Sequence, residues 1–175
     1  IALASKWQAR SPSVELVTGI AAMHQRDGDA AKGISLLEAW VSSHDDDEAA
    51  RYGLAQLYGA AGRNDRAIAQ YEWLVAKKPG NAVILNNLAW LYSMKHDPRA
   101  LTTARKAAAL APNSGAIADT LGWILIGFGD RTGALKNLRL ASQSVPNDNT
   151  VQFHYAVALA QNGKADNARH IFEKI

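Results

Sequence analysis

The sequence predicts an all-α protein built as a solenoid of helix-turn-helix repeats, and three observations support this prediction. Apolar and small residues recur at helical spacing, short turn segments separate these stretches, and one motif returns every 33 or 34 residues. No strand-like alternation of useful length is present. With 175 residues, 48% of them hydrophobic, the chain can form one continuous helical core.

The clearest repeat is a helical hairpin over residues 86–112. Its first helix carries Leu88 and Ala89 on one face, residues 96–98 (His-Asp-Pro) interrupt the pattern, and an alanine-rich second helix follows. Two helices of this length cannot bury an apolar face alone. The hairpin therefore predicts neighbours of the same kind.

The same motif occurs five times. Its central residue pair is Ile20-Ala21, Leu54-Ala55, Leu88-Ala89, Leu121-Gly122 and Tyr155-Ala156, at spacings of 34, 34, 33 and 34 residues. The repeats follow one another as 14–47, 48–81, 82–114, 115–148 and a truncated 149–175. Residues 1–13 are interpreted as the end of a preceding repeat helix. We predict a single repeat domain over residues 1–175 and, because neither end carries a capping helix, expect it to be a fragment of a longer protein.

This pattern resembles the tetratricopeptide repeat (TPR) family, which has large, small and proline residues at set repeat positions. The second repeat supplies Leu54, Ala55, Tyr58, Gly62, Ala67, Tyr71 and Pro79. The resemblance implies an all-α, right-handed TPR superhelix (α-solenoid) and a non-catalytic role. It also implies a ligand groove lined by the first helix of each repeat, mainly at repeat positions 2, 5, 6, 9, 12 and 13.

At those positions the groove has a neutral, aromatic centre. The candidate ligand-groove residues are Tyr52, Gln56, Asn86, Asn87, Trp90, Met94, Asp119, Thr120, Trp123, Phe153 and His154. Aromatic side chains bind apolar peptide groups or stack on sugar rings, and amides and hydroxyls bond the polar groups beside them. Trp90 and Trp123, both at position 9, are therefore candidates for a recognition surface. The alternative is that both pack between neighbouring first helices as core.

Charge and composition argue against other functional classes. The net charge is +3, but the basic residues fall mostly on second helices, away from the groove, so no nucleic-acid partner is expected. The five histidines show no HExxH spacing, and there is neither a phosphate-binding loop nor a Gly-x-Ser-x-Gly motif. We predict no enzyme activity, cofactor or metal site. His154 and Asp119 are the only acid–base pair of note, because positions 5 and 6 of adjacent repeats can approach each other.

Three features outside the groove have structural interpretations. Gly28 fits the left-handed position after the first helix of its repeat. Four consecutive acids, residues 45–48, lack the spacing of a calcium loop and are interpreted as favourable charges at a helix N-terminus. Trp73 either packs against the following repeat or contacts a partner on the convex face.

A narrower resemblance rests on the runs 86–92, 119–125 and 154–159. They are similar to the C-terminal TPR region of bacterial TPR lipoproteins encoded with exosortase (PEP-CTERM) sorting systems, over about residues 36–175. This resemblance implies a protein-interaction scaffold in exopolysaccharide production or protein export. The groove would take a protein, a peptide or a polysaccharide, and the protein would be periplasmic, held at the outer membrane by an anchor outside this sequence. The alternatives are a cytoplasmic peptide-binding adaptor and a structural spacer or oligomerisation module.

Overall fold

The computed structural model describes residues 13–175, and this range contains ten helices and no strand. In order they are α1 (Val14–Arg26), α2 (Ala30–Ser43), α3 (Glu48–Ala60), α4 (Asn64–Lys77), α5 (Ala82–Met94), α6 (Arg99–Leu110), α7 (Gly115–Gly127), α8 (Arg131–Ser144), α9 (Asn149–Gln161) and α10 (Ala165–Phe172). The predicted all-α array of helical hairpins is confirmed. The preceding helix predicted for residues 1–13 lies outside the described residues, apart from Ser13.

Polar residues define where most of these helices begin. The side chain of the N-cap residue accepts a hydrogen bond from a backbone N–H of the first turn in α1, α2, α3, α5, α7, α8 and α9. Such a bond satisfies a backbone donor that has no partner inside the helix, and its loss costs about 1 kcal/mol. The sequence therefore encodes the repeat period through its caps as well as through its apolar residues.

The turn inside each hairpin contains one residue with a left-handed backbone. At repeat position 15 this residue is Gly28, Gly62, His96, Gly129 or Gly163. Gly28 was predicted in this role, and its φ is 82°. His96, with φ 54°, is the only non-glycine with a positive φ among residues 13–175. Because a Cβ atom disfavours this conformation, the third repeat carries local strain that the others lack.

The described chain falls into two compact units, and the first of them ends at Pro79. In this unit α1 packs on α2 and on α3, and α3 packs on α2 and on α4. Its core contains Ile20, Leu37, Leu54 and Leu74, each at most 2% exposed. The alternation of first and second helices thus buries one apolar stripe from each.

The acidic residues 45–48 of this unit are engaged by neighbouring side chains. Asp46 lies 2.8 Å from Lys77 Nζ, and Glu48 lies 2.6 Å from Lys78 Nζ. Asp47 caps α3 and also accepts a 2.8 Å hydrogen bond from the Trp40 indole N–H. These contacts agree with the structural interpretation of the acids.

Trp73 is covered inside its own unit. The Arg51 guanidinium lies 4.3 Å from the centre of its ring, and the Lys77 amino group lies 5.1 Å from it. Cations over an indole face are attracted by its quadrupole. Trp73 therefore already has partners that neither of the two sequence interpretations included.

The second unit runs over Gly80–Ile175 and contains α5 to α10. Its first helices α5, α7 and α9 contact one another in sequence, and each also packs on its neighbouring second helices. Alanines at the contact face of α6, such as Ala104 and Ala107, are fully buried and allow close approach of the helices. This packing places α5, α7 and α9 side by side and so creates the candidate surface.

Candidate binding surface

The predicted groove residues divide between the two units. Tyr52 and Gln56 lie on α3 of the first unit. The other nine lie on α5, α7 and α9 of the second unit and are here called the first-helix surface: Asn86, Asn87, Trp90, Met94, Asp119, Thr120, Trp123, Phe153 and His154.

Asp119 of α7 and His154 of α9 form a hydrogen-bonded pair. His154 Nδ1 lies 2.9 Å and 3.0 Å from the two carboxylate oxygens of Asp119. Because a carboxylate accepts, Nδ1 is the ring nitrogen that carries the hydrogen. His154 is 7% exposed, so this bond satisfies a polar group inside the unit. The approach predicted from positions 5 and 6 of adjacent repeats is confirmed.

The ring of Trp123 stacks on His154. The ring centroids are 4.0 Å apart with an interplanar angle of 25°, and Phe153 lies 6.3 Å from Trp123. Trp123 therefore packs against the next first helix, as the core alternative expected, yet it remains partly exposed at the surface. Its indole N–H donates to no residue that the structure describes. Trp123 is thus both a packing residue and an available contact.

The aromatic cluster extends further than the sequence indicated. Phe153 is 45% exposed, and its ring centroid lies 5.9 Å from that of Phe172 on α10, which is 42% exposed. Phe172 was not among the predicted residues. The signal was available, since a large residue at position 24 of the truncated repeat belongs to the family pattern.

The α5 part of the surface is less constrained. Trp90 is partly exposed, and its indole N–H donates to no described residue. Met94 is 44% exposed. Asn87 is partly buried and has a partner of its own. Asn86 Oδ1 is buried and receives no hydrogen bond from any described residue. A buried acceptor without a donor is uncommon in folded proteins and needs an explanation.

Repeat symmetry makes the position of Asn86 informative. Asn86 and Asp119 both occupy repeat position 5, and Thr120 and His154 both occupy position 6. The pair Asp119–His154 is bonded, whereas the Thr120 hydroxyl donates to the Ala116 carbonyl at 3.2 Å. By this symmetry Thr120 is the residue expected to donate to Asn86, as His154 donates to Asp119. Because the Thr120 hydroxyl bonds its own helix backbone, the Asn86 oxygen has no donor.

A cavity of about 420 Å³ lies at the turn edge of the second unit. Its walls include Ser93 of α5, His96 and Asp97 of the α5–α6 turn, Trp123 and Ile126 of α7, and Phe128, which follows α7. We call it the turn-edge cavity. Phe128 is 53% exposed at its rim. Neither His96 nor Phe128 was predicted as a binding residue.

Asp97 adds no net charge to the turn-edge cavity. Its carboxylate accepts a 2.7 Å hydrogen bond from the Arg99 guanidinium and a 2.9 Å bond from the Arg99 backbone N–H. The hydrogen bonds from Arg99 hold the pKa of Asp97 below its usual value. Arg99 also lies over the Tyr92 ring, 4.2 Å from its centre. The guanidinium therefore neutralises the carboxylate at the cavity wall.

Tyr52 and Gln56 line a separate cavity of about 500 Å³ in the first unit. Most of its lining comes from α1 and α3, including Glu15, Gly19 and Gln25 of α1. The ring of Tyr52 meets that of Tyr71 edge-on, with centroids 6.0 Å apart. Small residues make this cavity wide, and its polar residues give it a different character from the aromatic first-helix surface.

The described residues provide neither a metal-binding cluster nor a membrane-spanning helix. No group of three or more histidine, aspartate or glutamate side chains in residues 13–175 is placed to hold a metal ion. Within the same range, no helix has the length and hydropathy needed to span a bilayer.

Comparison with known proteins identifies the repeat. A tetratricopeptide repeat family model matches residues 43–174. No curated protein matches the chain.

Several solved structures share the fold. MamA from Desulfovibrio magneticus RS-1 is 17% identical over 92% of each chain, with a TM-score of 0.77. A tetratricopeptide repeat protein from Parabacteroides merdae is 17% identical over 98% of this chain and 69% of its own, with a TM-score of 0.81. A thermophilic TPR protein of Thermus thermophilus is 18% identical over 93% of this chain and 89% of its own, with a TM-score of 0.73. At these identities the similarity is one of fold.

Proposed function

The chain belongs to the tetratricopeptide repeat family, and from this premise we propose that it is a non-catalytic scaffold that binds a protein partner through its first-helix surface. The observation that carries the proposal is the fixed aromatic group Trp123–His154–Phe153. Aromatic side chains held in place at a surface are typical binding hot spots, because little conformational entropy is lost when a partner packs on them.

The polar groups of the surface suit an uncharged peptide segment. The indole N–H groups of Trp90 and Trp123 donate to no residue that the structure describes. A peptide backbone offers carbonyl acceptors to such donors. The only acid on the surface, Asp119, is already bonded to His154. The surface therefore favours a neutral segment with apolar side chains.

A polysaccharide partner is a less favourable candidate for the same surface. Sugar rings stack on open aromatic faces, and one face of the Trp123 ring is occupied by His154 at 4.0 Å. Titration with sugar oligomers tests this candidate.

The cellular setting proposed here follows the narrower family resemblance. We place the scaffold in a bacterial envelope system for exopolysaccharide production or protein export, with the chain in the periplasm and an outer-membrane anchor elsewhere in the protein. The sequence of the complete gene tests this. A signal peptide with a lipidated cysteine upstream would support the envelope setting, and a cytosolic start would favour a cytoplasmic peptide-binding adaptor.

Binding is tested by tryptophan fluorescence. The protein is titrated with a panel of uncharged synthetic peptides that carry aliphatic or aromatic residues, and in parallel with exopolysaccharide oligomers. We expect a saturable signal with peptides that is lost in Trp123→Phe and weakened in Trp90→Phe. The matched control is Trp73→Phe, because Trp73 is a tryptophan of the first unit that Arg51 and Lys77 already cover.

The possible results separate the candidate functions. If only sugar oligomers give a signal, and that signal depends on Trp123, the ligand is a polysaccharide and not a peptide. A folded protein that responds to neither ligand class would favour the spacer or oligomerisation module.

A further inference from the structure

Three departures from the repeat pattern meet at the turn-edge cavity. Repeat position 15 is glycine in four repeats and His96 in the third. Position 14 is small or polar in four repeats (Asp27, Ala61, Lys95 and Asn162) and Phe128 in the fourth. Position 12 is small or polar in four repeats (Gln25, Gly59, Ser93 and Ala160) and Ile126 in the fourth. All three exceptional residues line the same cavity.

Two of these departures, His96 and Phe128, are not needed for the core. His96 has a φ of 54°, which glycine would adopt without strain. Phe128 is 53% exposed, so most of its ring gains nothing from burial. Residues that oppose local stability and converge on one cavity are typical of a binding site.

The walls define what the cavity can hold. A volume of about 420 Å³ with aromatic and aliphatic walls lies within the range of ligand pockets. The carboxylate of Asp97 is neutralised by Arg99, so the cavity offers no uncompensated charge to an ionic ligand. The Ser93 hydroxyl donates to the Trp90 carbonyl at 2.7 Å. The His96 imidazole makes no hydrogen bond to a described residue and is therefore free to contact a ligand.

We propose that the turn-edge cavity binds an aromatic side chain with a polar tip, a tyrosine above all, presented by an uncharged segment of a partner protein. The ring packs between Trp123, Ile126 and Phe128, and the phenol hydroxyl bonds the His96 imidazole. Amphipathic rings fit such sites because one end is apolar and the other is polar. This site lies at the turns between first and second helices and shares only Trp123 with the first-helix surface. It does not rest on the function proposed for that surface.

The test uses nuclear magnetic resonance of the 175-residue chain with small probes. N-acetyltyrosine amide is titrated, with the phenylalanine, leucine and lysine analogues in parallel. We expect saturable shifts confined to residues 93–100 and 123–128, with a dissociation constant of about 1 mM for the tyrosine probe. The phenylalanine probe is expected to bind about threefold more weakly, because it lacks the hydroxyl.

Two glycines give a matched pair of blocking variants. A Cβ added at Gly127, in the cavity wall, meets no atom within 4 Å, and the same holds at Gly59 of the first unit. Gly127→Leu is expected to fill the cavity and abolish the shifts, whereas Gly59→Leu leaves them unchanged. His96→Gly is expected to keep the phenylalanine affinity and remove the preference for tyrosine.

The proposal is overturned if the leucine or lysine probe binds as tightly as the tyrosine probe, or if the shifts persist in Gly127→Leu. It is also overturned if tyrosine and phenylalanine bind the unchanged protein equally. Should Gly127→Leu not fold, Phe128→Ala replaces it, because Phe128 is mostly exposed, and a severalfold loss of affinity is expected. Trp90→Phe separates the two sites: it weakens binding at the first-helix surface and leaves the probe shifts intact.

Discussion

Asp119 and His154 are joined across α7 and α9 by a bond in which both carboxylate oxygens lie within 3.0 Å of Nδ1. The bonded imidazole lies face to face with Trp123. The hydrogen bond therefore fixes the imidazole, and the imidazole fixes the indole. The orientation of Trp123 on the first-helix surface therefore depends on Asp119, which acts through the imidazole.

Removal of the acid tests this relationship. Asp119→Ala leaves a buried His154 N–H without an acceptor, which should lower the free energy of unfolding by about 1–3 kcal/mol in urea denaturation. Asp119→Asn keeps an acceptor for this N–H and should lower the free energy of unfolding by less. A double-mutant cycle with His154→Ala should give a coupling of at least about 0.5 kcal/mol. Additive effects would contradict a direct bond between the two side chains.

His96→Gly should make the protein more stable. The substitution removes the strain of a left-handed non-glycine residue, which is about 1–2 kcal/mol. It also raises the entropy of the unfolded chain, which costs about 0.5–1 kcal/mol, so the net gain in stability is at most about 1.5 kcal/mol. The urea midpoint should rise. The reverse change, Gly129→His, places the same side chain in the equivalent turn and should lower the midpoint. A drop in stability with His96→Gly would mean that the imidazole makes a stabilising contact.

Asn86→Leu should raise the free energy of unfolding in urea denaturation. The substitution removes a buried acceptor that lacks a donor, whose burial costs about 1–3 kcal/mol, and introduces an apolar group of similar shape. The control is Asn137→Leu, since Asn137 Nδ2 donates to the Gly133 carbonyl at 2.8 Å and no gain is expected there. A loss of stability with Asn86→Leu would contradict an unsatisfied acceptor at this position.

Two glycine-to-alanine changes in first helices should have opposite signs. At Gly122 a Cβ would lie 2.5 Å from Leu138 Cγ, so Gly122→Ala should destabilise the protein by about 1–3 kcal/mol. At Gly19 a Cβ meets nothing within 4 Å, so Gly19→Ala should stabilise α1 by about 0.5–1 kcal/mol. Thermal unfolding of both variants checks the prediction. A loss of stability with Gly19→Ala would count against the open cavity in the first unit.

Tyr58 gives a prediction for alkaline pH. Burial, together with its hydrogen bond to Glu38, raises the pKa of Tyr58 above its usual value of 10.0. A phenol whose pKa is raised by folding contributes stability that is present below about pH 10 and is lost as the pH rises through the folded-state value. The stability difference between the unchanged protein and Tyr58→Phe should therefore shrink between about pH 8 and pH 11. A difference that stays constant would show that Tyr58 is not coupled to folding.

The fold was predictable because each repeat encodes it independently. Apolar periodicity and polar caps such as Asp47 and Asn81 specify the same hairpin in all five repeats, and turn glycines such as Gly28 do so in four of them. Contacts between adjacent repeats were predictable where repeat positions alone define them, as for Asp119 and His154.

The side-chain hydrogen bonds and ring contacts of the first-helix surface depend on side-chain length and rotation, which repeat positions do not define. Thr120 occupies the same position as His154, yet its shorter side chain bonds its own helix backbone and leaves Asn86 without a donor. The stacking of Trp123 on His154 likewise depends on side-chain rotation. The turn-edge cavity is formed by residues from two hairpins, and the strain at His96 becomes visible only with backbone angles. A comparison of the five repeats at positions 14 and 15 would nevertheless have singled out Phe128 and His96.

Lys77 and Lys78 form ion pairs in the first unit whose strength depends on the salt concentration. These side chains hold the acidic segment 45–48 through ion pairs at the surface, and dissolved ions screen such pairs. The junction between α7 and α9 relies instead on stacked rings and a buried hydrogen bond, which salt screens much less. A rise in ionic strength therefore weakens these surface ion pairs of the first unit and leaves the binding surface of the second unit in place. Recognition by the second unit should accordingly tolerate wide changes in the ionic composition around the protein.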